Sequence, residues 1–185
     1  MTWMQRSFLM WVMTAGALAG LQNKAVSAQS GPPNVQTPAP VIYLSDNLDE
    51  KDGLGFCIDT VGRGFGEQLH AHSCKPRGGD VQFAYDARSN RIMSAAFAGK
   101  CATLTAPAAP GVTLGLVDCS DDAAEQAFVY DSSAKEFRPV GSQSLCLAVG
   151  AESRSAGPFM SRSLLLASCA MTDPWLRQWS VVDAE

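Results

Sequence analysis

Two histidines, the only ones in the chain, occupy positions whose spacing could support chemistry. His70 and His72 are separated by one residue, so on a β-strand both side chains would face the same side. Such a pair could bind a metal ion together with Asp59 or Asp80, although the sequence does not secure a third and a fourth ligand. The plainer interpretation is a pair of half-exposed polar residues on the rim of a strand. We predict no metal site and no cofactor.

The rest of the chain shows no arrangement typical of a catalytic centre. No serine lies in a Gly-x-Ser-x-Gly elbow, and both histidines fall in one three-residue segment. The acidic pair Asp121-Asp122 is typical of a solvated turn. The run Gly62-Arg63-Gly64-Phe65-Gly66 lacks the preceding strand and the following helix of a dinucleotide-binding fingerprint. We therefore expect a protein that is not an enzyme.

Six cysteines are arranged as three pairs that predict a repeated unit. Cys57 and Cys74, Cys101 and Cys119, and Cys146 and Cys169 are separated by 17, 18 and 23 residues, and the leading cysteines follow one another at 44 and 45 residues. A period of this size indicates one supersecondary unit used three times. The repeat therefore favours a single pairing, Cys57–Cys74, Cys101–Cys119 and Cys146–Cys169. Each bridge would contribute about 3 kcal/mol to stability if it is unstrained.

Each copy also ends on an aromatic residue. Phe83-Ala84-Tyr85-Asp86 and Phe128-Val129-Tyr130-Asp131 are offset by 45 residues at every position, and Trp179-Ser180-Val181-Val182 takes the same place in the third copy. Short apolar runs between clusters of Gly, Pro, Ser and Asp predict an all-β protein with about four strands per copy. Because an open sheet of many short strands would expose its edges, we expect the copies to close on one another around Phe83, Phe128 and Trp179.

The first 28 residues are typical of a secretory signal peptide. Arg6 precedes an apolar run over residues 8–21, and Val26-Ser27-Ala28 supplies the small residues of a cleavage site. The apolar run has 14 residues, fewer than the roughly 20 that a membrane-spanning helix needs. We expect cleavage after Ala28, no stable membrane insertion afterwards, and a secreted or periplasmic protein.

The remaining chain is predicted to be one domain with a short lead-in. Residues 29–40 contain four prolines and few apolar residues, which predicts an extended, disordered segment. The three repeats are expected at residues 41–86, 87–131 and 132–183, in a domain that reaches residue 185. After Ala28 there are 12 basic and 18 acidic residues, a net charge near −6. No basic patch is therefore expected for nucleic acid.

The motifs around the cysteines resemble the ricin-B-type β-trefoil lectin family. The similarity rests on Gly55-Phe56-Cys57-Ile58-Asp59, Gly99-Lys100-Cys101-Ala102-Thr103-Leu104 and Leu145-Cys146-Leu147, each with its following cysteine, and it spans nearly all of the chain after the signal peptide. The Gln-x-aromatic signature of the family is present once, as Gln126-Ala127-Phe128. The resemblance implies a β-trefoil in which each repeat can hold one sugar.

The resemblance also implies where such a sugar would bind. An Asp two residues after the leading cysteine accepts bonds from hydroxyls, a side chain two residues before the second cysteine stacks on the ring, and a polar residue before the closing aromatic residue completes the site. Only the first copy approaches this pattern, which assigns carbohydrate binding to Asp59, His70, His72, Asp80 and Gln82. The corresponding positions are Thr103, Gly115, Val117 and Glu125 in the second copy and Ala148, Leu165, Ala167 and Leu176 in the third.

We therefore interpret the chain as a secreted, lectin-like module that recognises a glycan or glycoprotein through its first repeat. We expect glycan binding to weaken as the pH falls through the range in which histidine side chains are protonated, because two imidazoles lie beside two carboxylates. One alternative is a non-catalytic receptor-binding or delivery subunit of a bacterial toxin, or a protein-interaction trefoil that has lost sugar binding, either of them with a partner subunit. Another is a protease inhibitor with a reactive loop in residues 153–162.

Overall fold

A computed structural model describes residues 30–184 of the chain. This part contains 14 β-strands and three single-turn 3₁₀ helices, and it has no α-helix. The predicted all-β class is confirmed. The predicted signal peptide, residues 1–28, lies outside the described residues.

The strands follow the predicted repeats, with one addition. The first repeat contains β1 (Val41–Leu44), β2 (Phe56–Thr60), β3 (Leu69–Ser73) and β4 (Phe83–Asp86). The second contains β5 (Arg91–Ser94), β6 (Lys100–Leu104), β7 (Leu114–Asp118) and β8 (Phe128–Asp131). The third contains β9 (Glu136–Pro139), β10 (Leu145–Val149), β11 (Arg154–Ala156), β12 (Phe159–Arg162), β13 (Leu164–Ser168) and β14 (Trp179–Val182). The expected four strands per repeat are present in the first two repeats, and the third has six.

Antiparallel pairs join each repeat to the next and close the structure. β4 pairs with β5, and β8 pairs with β9. The last strand, β14, pairs with the first, β1, from Val41 opposite Val182 to Leu44 opposite Trp179. Within the repeats, β2 pairs with β3, β6 with β7 and β10 with β13. The ends of the described chain are thus held together, which is how a set of short strands avoids exposed edges.

The three aromatic residues that end the repeats lie in one core. Phe83, Phe128 and Trp179 are fully buried in the same hydrophobic cluster. The Trp179 indole Nε1 donates a hydrogen bond to the Leu147 carbonyl at 2.9 Å, so its polar atom is satisfied despite burial. The predicted shared core is confirmed. Burial of side chains of this size supplies a large part of the hydrophobic stabilisation of a small domain.

The turns between repeats use the same local chemistry twice. Asp86 accepts hydrogen bonds from the Arg88 N–H and the Ser89 hydroxyl, and the Ser89 bond is the main reason why the pKa of Asp86 is lowered. Asn90, at the end of this turn, adopts a left-handed backbone conformation with φ of 56°. Asp131 caps the next inter-repeat turn in the same way.

The additional strands β11 and β12 form a hairpin inside the long inner loop of the third repeat. The hairpin does not stay with its own repeat. β12 pairs with β3 of the first repeat, with Ser161 opposite His72 and Arg162 opposite Ala71. This pairing adds β11 and β12 to the sheet that β1, β2, β3 and β14 form, which makes it six-stranded.

Two buried polar contacts fix the hairpin in this position. The Met160 N–H donates to the Ser73 hydroxyl at 2.9 Å. Arg162 is 6% exposed and donates to the Glu50 carboxylate at 2.7 Å, with its guanidinium 5.1 Å from the centre of the Phe56 ring. Residues 154–162 thus form a hairpin whose turn at Gly157 and Pro158 is exposed, and the protease-inhibitor alternative for residues 153–162 stays a prediction.

The lead-in departs from the disorder predicted for residues 29–40. Residues 30–40 contain no strand, but the Asn34 N–H donates to the Gly53 carbonyl and the Gln36 N–H to the Cys74 carbonyl. Thr37 is buried and donates its hydroxyl to the Lys75 carbonyl at 2.9 Å. Composition predicted disorder because the prolines exclude a strand, but it could not show that the first repeat provides hydrogen-bond partners for an extended segment.

The three predicted disulfides are all present, with Cα–Cα distances of 5.1, 4.9 and 5.2 Å for Cys57–Cys74, Cys101–Cys119 and Cys146–Cys169. Within residues 30–184, there is no helix long and apolar enough to cross a membrane.

The double substitution Cys101→Ser with Cys119→Ser tests the role of one bridge. It should lower the free energy of unfolding by about 3 kcal/mol, because it frees an 18-residue loop of the unfolded chain. Urea denaturation followed by tryptophan fluorescence measures this difference. A loss below about 1 kcal/mol would mean that the bridge adds little to the closed fold.

Candidate functional site

The two histidines lie side by side on β3, covered from both edges. β2 lies along one edge of β3, with Asp59 opposite His70 and Cys57 opposite His72, and β12 lies along the other. The centres of the two imidazole rings are 5.4 Å apart. His70 is 9% exposed and His72 is 7% exposed. The half-exposed strand rim expected from the sequence is therefore wrong, because the hairpin of the third repeat covers this strand.

A lysine that the sequence analysis did not single out stands between the two predicted carboxylates. The Lys75 ammonium is 2.9 Å from the Asp59 carboxylate and 3.3 Å from the Asp80 carboxylate. The nearest imidazole nitrogens of His72 and His70 are 3.6 and 4.0 Å from the same Asp59 oxygen. Lys75 thus balances two buried acids, which would otherwise repel each other.

Burial shifts the pKa values of Asp59 and His70 in opposite directions. Desolvation raises the pKa of Asp59, and the hydrogen bond and charge of Lys75 oppose this rise. Desolvation lowers the pKa of His70 to about 4, and the positive charges of His72, Arg154 and Lys75 add to the effect. His70 is therefore neutral near pH 7, with one ring nitrogen able to donate and one able to accept a hydrogen bond. His70 therefore titrates at a lower pH than histidine usually does, whereas the sequence led us to expect titration in the usual range.

Unused hydrogen-bonding capacity is concentrated in the same cluster. Six buried side-chain nitrogen and oxygen atoms in the described residues have no partner, and three of them are Asp59 Oδ1, His70 Nε2 and Asp80 Oδ1. Buried polar atoms are normally paired, and each unpaired one costs about 1–3 kcal/mol. Three such atoms in one place distinguish this part of the molecule from an ordinary structural ion pair.

A cavity of about 620 Å³ opens beside this cluster. One wall is His70 and His72 of β3, with Lys75 and Asp80 from the segment that follows Cys74. The tip of the β11–β12 hairpin, residues 156–159, lines the cavity next to His72, and the exposed Arg63 and Arg77 line it as well. We call this cavity the composite pocket, because the first and the third repeat both line it.

The aromatic surface of the composite pocket comes from Phe159 of the hairpin. Its ring meets the His72 ring edge to face, with centres 5.6 Å apart. Phe159 is half-buried, whereas His72 is almost fully buried. His72 therefore lines the pocket with little exposed surface, and Phe159 is the more exposed of the two rings.

The structure brings four of the five predicted site residues together. His70, His72 and Asp80 line the composite pocket, and Asp59 lies behind Lys75 at 1% exposure. Asp59 can therefore act on a ligand only through its neighbours. Gln82 does not line the composite pocket. Its side-chain amide donates to the Pro38 and Ala39 carbonyls at 3.1 Å each and so holds the lead-in.

Strand register shows why the other repeats lack an equivalent cluster. The position of Asp59 opposite His70 corresponds to Thr103 opposite Gly115 in the second repeat and to Ala148 opposite Leu165 in the third. These pairs carry no carboxylate and no ring. Glu125, which takes the position of Asp80 in the second repeat, is exposed.

The residues do not favour the metal alternative. The ammonium of Lys75 already occupies the place between the carboxylates where a cation would bind. Among the described residues, only Glu136, Cys146 and Cys169 bring three ligand atoms within 4.8 Å of one another, and the two cysteines form a disulfide. Disulfide sulfurs are not thiolates, so this group does not offer a zinc site.

Comparison with known proteins identifies the fold. Neither a protein-family model nor a curated protein sequence matches the chain. Among solved structures, the chain is similar to an agglutinin from Abrus precatorius, with a TM-score of 0.56, 13% identity and coverage of 80% of this chain and 48% of that one. It is also similar to GalNAc-T7 with UDP, GalNAc and Mn²⁺, with a TM-score of 0.51, 17% identity and coverage of 82% and 23%.

The chain spans about half the length of the agglutinin and less than a quarter of GalNAc-T7. At this level of identity the likeness concerns the fold. The chain has the β-trefoil fold that the sequence predicted.

Replacement of Lys75 tests whether this side chain holds the cluster together. Lys75→Met should lower the free energy of unfolding by about 3 kcal/mol at pH 7, because it leaves the buried Asp59 carboxylate without its cation. Lys100→Met is the matched control. Its partner Asp118 is 88% exposed, so the expected loss is below about 1 kcal/mol. Equal losses in urea denaturation would contradict a special role for Lys75.

The lowered pKa of His70 predicts an acid-dependent loss of stability. Between pH 6.5 and about 4 the unfolded chain binds a proton at His70 that the folded chain does not, so stability falls as the pH falls through this window. His70→Gln removes this contribution, while the opposite contribution of Asp59 remains in both proteins. From pH 7 to pH 4.5 the wild type should lose about 2 kcal/mol more than the variant. Parallel losses would show that His70 titrates normally.

Proposed function

We propose that this chain binds carbohydrate in the composite pocket. The observation that carries the proposal is the combination of the polar side chains His70, Lys75 and Asp80 with the Phe159 ring in the lining of one cavity of about 620 Å³. Pockets of about 300–1,000 Å³ are typical of small-molecule sites. A sugar needs polar groups and an aromatic ring together, because its hydroxyls require hydrogen-bond partners and its C–H face requires an apolar surface.

The polar wall suits vicinal hydroxyls. Asp80 accepts hydrogen bonds, the Lys75 ammonium donates them, and neutral His70 can do either. Asp59 supports this wall from behind, since its carboxylate fixes the Lys75 ammonium at 2.9 Å. Gly78, which lines the same pocket with φ of 117°, leaves room for the Asp80 carboxylate, because a Cβ there would lie 2.4 Å from Asp80 Oδ1.

The fold supports a binding function rather than catalysis. One solved structure with this fold is an agglutinin. The strand register leaves the cluster in the first repeat only, so we propose a single carbohydrate site rather than one per repeat. The proposed ligand is a glycan or a glycoprotein.

We also propose that the protein is exported. Residues 1–28 have the pattern of a secretory signal peptide. The three disulfides are compatible with an oxidising compartment.

A glycan array tests the proposed function, with Phe159→Ala as the site variant. The wild type should bind a defined set of glycans, and Phe159→Ala should weaken that binding about tenfold, because stacking on an aromatic ring is lost. Phe65→Ala is the matched control. Phe65 packs on Phe97 and Lys100, and it does not line the composite pocket.

The thermal midpoint should be similar for the two variants, so that a loss of binding reports the pocket and not the fold. Absence of glycan binding by the wild type, or equal binding by Phe159→Ala and Phe65→Ala, would contradict the proposal.

A further inference from the structure

The rim of the composite pocket carries positive charge that the protein itself does not neutralise. Arg63 and Arg77 both line the pocket and are exposed. Neither forms a salt bridge with any residue in the described part of the chain. Lys75 differs from them, because Asp59 and Asp80 already neutralise it deeper in the pocket.

The positive charge at this rim contrasts with the net negative charge of the chain. After Ala28 the chain has 12 basic and 18 acidic residues. A third arginine, Arg154 on β11, is close enough to His70 to lower its pKa through its charge. Two guanidinium groups without a carboxylate partner among the described residues, Arg63 and Arg77, therefore lie at one pocket of an otherwise acidic protein, where a positive potential attracts anions.

Glycines place the two rim arginines. Arg63 lies between Gly62 and Gly64, which have φ of 108° and 76°, a backbone conformation that favours glycine. Arg77 precedes Gly78, with φ of 117°. The glycine-rich run 62–66, which does not fit a dinucleotide fingerprint, thus forms the turn that carries Arg63 to the pocket.

We propose that the composite pocket takes an acidic saccharide, one that bears a carboxylate or a sulfate ester. The anionic group binds at the rim, where a guanidinium can donate two parallel hydrogen bonds to it. The sugar ring lies against Phe159, and its hydroxyls meet Asp80 and His70. A neutral sugar would leave Arg63 and Arg77 without a partner. This inference rests on the proposed carbohydrate-binding function.

Titration calorimetry on the protein with matched saccharides tests the inference. The probes are a neutral oligosaccharide, the same oligosaccharide ending in a uronic acid or a sialic acid, and its sulfated form. The wild type should bind one or both acidic forms about tenfold more tightly than the neutral form, and this preference should shrink as salt is raised. The two acidic probes separate a preference for carboxylate from a preference for sulfate.

The double variant Arg63→Gln with Arg77→Gln should lose most of the preference and keep the binding of the neutral form. Arg88→Gln with Lys135→Gln is the matched control. It removes the same charge from exposed residues in two turns outside the pocket, and it should retain the preference.

The outcomes separate the two proposals. Equal binding of neutral and acidic saccharides by the wild type would overturn the inference, and so would a preference that survives in the Arg63 and Arg77 double variant. In both cases, loss of binding in Phe159→Ala would still support the carbohydrate site. If no saccharide binds, neutral or acidic, both proposals fail.

Discussion

The structure depends on the inability of any single repeat to bury its own apolar face. Each repeat ends on a large aromatic residue, and Phe83, Phe128 and Trp179 become fully buried only in a cluster that all three repeats share. Hydrogen bonds from side chains to the backbone reinforce this closure, since the Tyr85 hydroxyl donates to the Phe128 carbonyl and the Tyr130 hydroxyl to the Trp179 carbonyl. Closure fixes the position of each repeat relative to the others. It also decides where an insertion in one repeat can reach.

That constraint explains how two distant parts of the sequence form one pocket. The third repeat carries an inserted hairpin, and the closed arrangement places it beside β3 of the first repeat. The edge of β3 would otherwise be open, and pairing with β12 satisfies its backbone groups. The same pairing buries His70 and His72 and sets Phe159 against them. Burial then determines the chemistry, because it keeps His70 neutral and makes Lys75 necessary to balance Asp59 and Asp80.

The fold could be read from the sequence because repetition is a strong signal. The paired cysteines and the offset of 45 residues between Phe83 and Phe128 sufficed for the repeats, the disulfides and the shared core. The polar half of the site was also accessible, since Asp59, His70, His72 and Asp80 lie in one repeat and their strand register follows from the cysteines.

Other parts of the site were not accessible from the sequence. Phe159 is far from the first repeat in the chain, and only its position in an unusually long inner loop marked it as different. Lys75 directly follows Cys74 and lies between Asp59 and Asp80 along the chain. The lectin motifs did not draw attention to it, because they assign no role to this position. The place of Gln82 before an aromatic residue says nothing of the lead-in, whose carbonyls accept its hydrogen bonds, so this contact could not be predicted.

We propose that the first and the third repeat form one ligand site together. A titration of the ¹⁵N-labelled protein with a saccharide that it binds tests this proposal. The amide chemical shifts report which residues respond. We expect saturable changes in the amide chemical shifts of residues 69–80 and 156–160, with a common dissociation constant, and little change in residues 87–131. Changes confined to one of the two segments, or centred on the second repeat, would contradict it.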